Sequence, residues 1–123
     1  MSNPVEDQPT FGLKFWLLIL IIFMLPVQRL EKSNTKENLW VYILALLEKT
    51  PRYGWEIPAL IEKKFGFRPG KITPYRVFYR LQADGFVKSK TADRRRIYEI
   101  TESGKKELSA AKLFYKNILS KLD

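Results

Sequence analysis

Apolar positions change their spacing twice along this chain, and each regime predicts a different element. From Phe15 to Val27 (FWLLILIIFMLPV) no polar side chain occurs. From Leu39 to Leu81 apolar residues recur at helical spacing, and from Phe86 to Ile100 they follow a period of two. The first run, apolar all round, predicts a helix over about residues 11–27 that must be buried in protein or in lipid. The residues before it, Met1 to Thr10, are polar and punctuated by proline, as a loose terminus is.

Two readings of residues 11–27 stand side by side. Thirteen helical residues reach about 20 Å and seventeen about 26 Å, against a hydrocarbon core of about 30 Å. The many leucines and isoleucines favour insertion. Arg29, Lys32 and Lys36 follow the run while Glu6 and Asp7 precede it, so an inserted helix would leave the rest of the chain in the cytoplasm. The other reading is a helix packed in a dimer interface or laid over the domain of a cytoplasmic protein. A cleaved signal peptide fits poorly, because the leading region is acidic.

From Ser33 the pattern is that of a small globular domain. Asn34 and Glu37 have capping-box spacing, and Leu39, Trp40, Ile43, Leu44, Leu46 and Leu47 give the first helix of the domain its apolar face, ending near Thr50-Pro51. Tyr53-Gly54-Trp55 turns the chain into a second helix carrying Ile57, Leu60, Ile61 and Phe65. Pro58 falls in its first turn and Gly66 stops it. The third helix is bracketed by Thr73 as N-cap, Pro74 at the first helical position and Gly85 just past the end. Pro74, Phe78 and Leu81 share its core side, leaving Tyr75, Arg76, Tyr79 and Arg80 on the others.

Beyond Gly85, Phe86–Lys90 and Arg95–Ile100 read as paired strands around a turn at Thr91-Ala92-Asp93-Arg94. Thr101 then caps a last helix. In it Leu108, Ala111, Tyr115, Ile118 and Leu122 repeat at alternating three- and four-residue spacing, a seam for dimerisation widened by Phe114 and Leu119. The expected fold is mainly α with a small β-hairpin, a winged helix-turn-helix. Its layout is an N-terminal extension over 1–33, a winged helix over 34–101 and a dimerisation helix over 102–123.

Charge sharpens the picture. The chain carries a formal net charge of +9, and Lys63 to Arg96 alone holds eleven bases and two acids, which is the whole surplus. The flanks nearly cancel, with six bases against seven acids before the window and five against four after it. Positive charge concentrated on a helix and a hairpin suits a polyanion, because each phosphate neutralised releases condensed counterions. Cysteine and histidine are both absent, which removes disulfide frameworks, thiolate nucleophiles and the usual zinc sites. The acids show no calcium-loop spacing, and no glycine-rich phosphate loop or serine-elbow motif appears. No catalytic residue, metal or cofactor is expected, and no motif names a small-molecule effector.

These pieces resemble the PadR family of transcriptional regulators. The resemblance rests on Tyr53-Gly54-Trp55-Glu56-Ile57, then Thr73, Tyr75, Phe78, Leu81, Gly85 and Phe86, then Arg96-Ile97-Tyr98-Glu99-Ile100-Thr101-Glu102-Ser103-Gly104, in order from Asn38 to about Leu122. The related MarR family shares the wing but is less similar around Tyr53 to Ile57. The single short C-terminal helix is similar to the compact branch of the family, and the N-terminal apolar segment lies outside the family pattern. Some members hold planar ligands between aromatic residues of the dimer interface; here Phe114, Tyr115 and Trp40 are the residues available. The resemblance implies a homodimer, joined by its C-terminal helices, that places two recognition helices in successive major grooves of a pseudo-palindromic operator and represses a nearby promoter.

The residues expected to meet double-stranded DNA are Lys71, Thr73, Tyr75, Arg76, Tyr79 and Arg80 at the groove. Arg94, Arg95 and Arg96 are expected on the wing, with Lys88 and Lys90 adding phosphate contacts. The competing expectation is a winged-helix interaction module whose basic face docks an acidic protein partner, with or without a membrane tether.

Overall fold

Why the N-terminal apolar run does not form one helix is decided by Pro26. The structure, a computed structural model, describes residues 12–123, the side chain of Ile21 excepted. Helix α1 spans Gly12–Phe23, the chain bends at Met24-Leu25, and α2 spans Pro26–Thr35. Proline has no amide to continue the ladder, and its ring disfavours the helical conformation of the residue before it. The Leu25 amide instead donates to Gln28 Oε1 at 2.9 Å, which starts α2. The single helix expected over about 11–27 is therefore corrected to two short ones; its first residue, Phe11, and the expected loose terminus lie outside the described residues. Twelve residues of α1 span about 18 Å. Among the described residues no helix is long and apolar enough to cross a membrane.

Helix α2 also overrides the expected capping box. Asn34 lies inside it, its amide Nδ2 donating to the Leu30 carbonyl at 2.9 Å, and the next helix starts later, with Asn38 as its cap residue. The chain divides into two compact units between Asn34 and Thr35. In the first, most large side chains of α1, Trp16 and Phe23 among them, are exposed.

The second unit is built on α3 (Leu39–Lys49), followed by β1 (Arg52–Tyr53), a 3₁₀ turn (Gly54–Glu56), α4 (Ile57–Phe65), α5 (Thr73–Ala83), β2 (Val87–Ala92), β3 (Arg95–Ile100) and α6 (Glu102–Lys121). Its core joins Leu39, Ile43, Leu44, Leu46 and Leu47 of α3 to Ile57 and Ile61, Phe78 and Leu81, Val87, Tyr98 and Leu108. The apolar faces read for the three domain helices are the ones buried. Phe78 stacks on Tyr98 with ring centroids 3.9 Å apart and planes 17° apart, which seats α5 on the sheet. Removing such a fully buried ring costs about 3–5 kcal/mol.

The hairpin forms as expected, but the sheet has a third strand. Its order is β1-β3-β2, all antiparallel, with Arg52 opposite Tyr98 and Tyr53 opposite Ile97. The turn is tighter than the four residues expected. Ala92 pairs with Arg95, leaving Asp93 and Arg94 as a two-residue loop with φ of 51° and 63°. Positive φ at both positions is the geometry that matches strand twist in a short hairpin.

Two joints hold α5 and α6 to this sheet. At the end of α5 the Phe86 amide donates to the Leu81 carbonyl (2.9 Å) and the Gly85 amide to the Gln82 carbonyl (3.1 Å). Gly85 sits at φ 83°, so this is a Schellman cap. At the start of α6, Thr101 Oγ1 accepts from the Gly104 amide (3.0 Å) and donates to the Gly85 carbonyl (2.7 Å). A Cβ on Gly104 would run into the Phe86 carbonyl oxygen and Ile100 Cγ1.

Candidate nucleic-acid interface

Helix α5 presents its charge because its other side is held down. Pro74, Phe78 and Leu81 are buried, and Tyr75, Arg76, Tyr79 and Arg80 are left exposed, with Lys71, Ile72 and Thr73 exposed at its start. Thr73 is the first helical residue rather than the cap. Ile72 takes the cap position, its carbonyl accepting from the Tyr75 amide at 3.1 Å, and Pro74 follows in the first turn. The shift is one residue, and no side chain caps this end. Arg80 is tied by its Nε to Asp84 Oδ2 at 3.0 Å, while Arg76 has no ion-pair partner among the described residues.

Strand alternation splits the wing arginines that lie side by side in sequence. Arg94 occupies the turn. Arg96 shares the face of Tyr98, and its guanidinium donates to Ser89 Oγ (3.3 Å), which donates to Gln82 Oε1 of α5 (3.2 Å). Arg95 lies on the opposite face, its guanidinium carbon 5.5 Å from the Trp55 ring centroid.

Lys88 and Lys90 are in a different electrostatic state from the arginines. Both flank Glu99, with Nζ–carboxylate distances of 3.6 and 3.2 Å. The hydrogen bond and charge of Lys90, then Lys88, hold the Glu99 carboxyl below its ordinary value. Part of the positive charge expected from these lysines is thus balanced locally by a residue just beyond the basic window. Tyr98 behaves oppositely: burial raises its phenol, against a lowering by Arg96, with Tyr75 adding to the rise.

Basic side chains are thus exposed on α5 and on both faces of the β2–β3 hairpin. The family of transcriptional regulators described as PadR-like matches residues 43–110, more than half of the chain. The chain belongs to the PadR-like family. Among solved structures it is similar to a transcriptional regulator from Clostridium thermocellum, with 24% identity and a TM-score of 0.66 over 80% of this chain and 95% of that one. It is also similar to a regulator from Thermoplasma acidophilum (26% identity, TM-score 0.58, 70% and 90% covered). A third is Bacillus subtilis PadR solved with operator DNA (29% identity, TM-score 0.54, 58% and 45% covered). No curated protein matches the chain.

The PadR-like motif residues have structural work here. Glu56 accepts from the Tyr53 amide at 2.8 Å, closing the 3₁₀ turn. Gly54 has no side chain because the Tyr75 and Tyr98 rings approach within 3.1 and 3.2 Å of where a Cβ would stand. Two residues of this face escaped the sequence reading. Trp55, 58% exposed beside Arg95, is expected from sequence only as part of the turn into α4, and Ile72, exposed at the head of α5, carries no expectation from sequence. The place of Trp55 in the Tyr53-Gly54-Trp55-Glu56-Ile57 stretch is the sequence signal for the first.

Placement along α6 also divides the expected dimerisation seam. Leu108 is 1% exposed, packed in the core of its own domain, and Lys112 pairs with Glu48 of α3 at 3.3 Å. Leu108 is thus unavailable to a partner, because the first half of α6 lies along α3. Ala111 is half-buried, and Tyr115, close enough to Tyr42 to raise its phenol pKa after burial, is still exposed. Phe114, Ile118, Leu119 and Leu122 are exposed as well.

A cavity of about 360 Å³ beside α5 is lined by Trp40, Val77, Leu81 and Phe86 and by charges of both signs, Lys36, Arg76 and Arg80 with Glu37, Asp84 and Glu107. Among the described residues no group of acids could hold a metal ion.

Proposed function

We propose that this PadR-like protein is a transcriptional repressor that binds a pseudo-palindromic operator as a homodimer. Helix α5 is the recognition helix, set in the major groove, and the β2–β3 wing lies along the flanking backbone or minor groove. Residues 34–101 form the DNA-binding domain and 102–123 the dimerisation element. The observation that carries this reading is the exposed row Tyr75, Arg76, Tyr79 and Arg80 on a helix whose opposite side is locked into the core, beside three wing arginines. The operator complex of Bacillus subtilis PadR, a relative of the same family, supports it.

Within this reading Arg76 is the base-reading side chain, since it is exposed and unpaired among the described residues. Lys71, Thr73, Tyr75, Tyr79 and Arg80 contact the backbone or groove edge, and Arg94, Arg95 and Arg96 hold the wing to phosphates. Phe114, Ile118, Leu119 and Leu122 supply the partner-facing surface of α6. The test is selection of bound duplexes from genomic fragments, followed by titration at two salt concentrations. A steep loss of affinity with salt is expected, as counterion release requires. Arg76→Ala should relax preference at one base position by about 1–3 kcal/mol. A flat salt response, or no selected sequence, overturns the proposal.

A further inference from the structure

Where the wing meets the head of α5 there is a second, smaller cleft of about 210 Å³, lined by Gly54, Trp55, Tyr75, Arg95, Arg96 and Tyr98. Its lining includes Arg95 and Arg96 and no acidic residue. The larger cavity beside α5 balances three cations against three acids, so of the two it is this cleft whose lining carries net positive charge.

Its parts come from three elements that strand alternation and one glycine bring together. Arg95 and Arg96 are consecutive on β3 with side chains on opposite faces, and both residues border the cleft. Tyr75 enters from the first turn of α5, and can do so because Gly54 leaves room for its ring. Trp55 closes the remaining side. Its ring lies under the Arg95 guanidinium at 5.5 Å and runs nearly parallel to Tyr53, with centroids 6.4 Å apart and planes at 21°. An arginine over an indole face keeps its fork of N–H donors directed outward in the ring plane, where a phosphate can receive them.

We propose that this cleft seats one backbone phosphate at the junction of recognition helix and wing, and that Trp55 is a positioning residue which sets Arg95 for it. The inference rests on the DNA-binding reading and deepens it. A phosphodiester held there fixes the wing relative to α5, so the cleft sets how the groove-reading helix is registered on the duplex.

The experiment measures affinity for a random-sequence duplex across a salt series, with the full chain and its variants. Trp55→Leu should weaken binding about two- to five-fold, the size of an exposed cation–π contact. It should also flatten the salt slope toward that of Arg95→Gln, by up to about one phosphate's share. Combining the two substitutions should do no more than Arg95→Gln alone, and Trp55→Phe should restore much of the loss. Unchanged affinity and slope in Trp55→Leu overturn the proposal, as does a fully additive double variant. Indole fluorescence titrated with inorganic phosphate reads the cleft without DNA. If the protein binds no duplex, the DNA reading fails; a phosphate response abolished by Arg95→Gln then keeps the cleft as an anion site serving free phosphate compounds, and no response overturns it too.

Discussion

Glu99 and Lys90 meet across the hairpin at 3.2 Å, so a carboxylate sits among the bases of the wing. The same carboxylate reaches Lys88, its cross-strand neighbour in the register. Their ammonium groups are shared with an internal anion, and on the proposed DNA-binding reading phosphates compete with Glu99 for them. Glu99→Gln is expected to tighten binding to any duplex and to steepen the salt dependence, since two cations become free for phosphates. Salt-series titration of the variant checks this; a weaker or unchanged slope would show that the lysines do not face DNA.

The position of Glu99 shows where sequence reading stops. The basic window ends at Arg96, so a carboxylate three residues later falls outside it, yet strand pairing returns it to the middle of the charge. Helix α5 was legible because Pro74 and Gly85 mark its two ends by backbone chemistry and Phe78 and Leu81 mark its buried side. Strand β1 was not, because two residues leave no period, and its pairing with β3 is a contact over more than forty residues of chain. For the helix expected over about residues 11–27 the reason is related: hydropathy continues through Pro26 while backbone geometry does not.

Arg94 occupies a left-handed conformation that a non-glycine residue adopts at a cost of about 1–2 kcal/mol. Arg94→Gly would create Asp-Gly, the favoured pair for a two-residue hairpin loop. The variant should be more stable by about 0.5–1 kcal/mol, allowing for glycine's freer unfolded chain, and should bind DNA more weakly. Chemical denaturation and a duplex titration on the same protein decide it. Loss of stability would mean that the arginine side chain supports the turn.

Gly104 tests the joint between the wing and α6. Since a Cβ there collides with the backbone of Phe86, Gly104→Ala should destabilise the domain by about 1–3 kcal/mol, although alanine is the better helix former. A melting temperature equal to or above that of the parent would show that the two segments can separate freely.

The Tyr98 phenol predicts an alkaline limit. Burial raises its pKa above the ordinary 10.0, so the folded chain holds the proton more tightly than the unfolded one. Its contribution is whole below about pH 10 and is lost as pH rises through the folded value. Urea midpoints for the parent and for Tyr98→Phe, which keeps the stack on Phe78, should stay a fixed distance apart below about pH 10 and change that distance only above it, to the parent's disadvantage. A constant difference between them would remove the phenol from the account.

Leu108 and Ile118 lie on one seam by heptad spacing but answer to different partners. Leu108 is sealed against its own core, so Leu108→Ala should lower the stability of the protomer by about 2–5 kcal/mol. Ile118 and Leu122 are exposed beyond the point where α6 lies along α3, and charging both as Ile118→Glu with Leu122→Glu should separate the proposed homodimer while leaving protomer secondary structure intact. DNA affinity should then fall steeply, because two half-sites bound by one rigid dimer become two independent weak contacts. Light scattering after gel filtration, beside circular dichroism and a duplex titration, distinguishes the cases. A doubly charged variant that stays dimeric would move the interface away from the C-terminal half of α6.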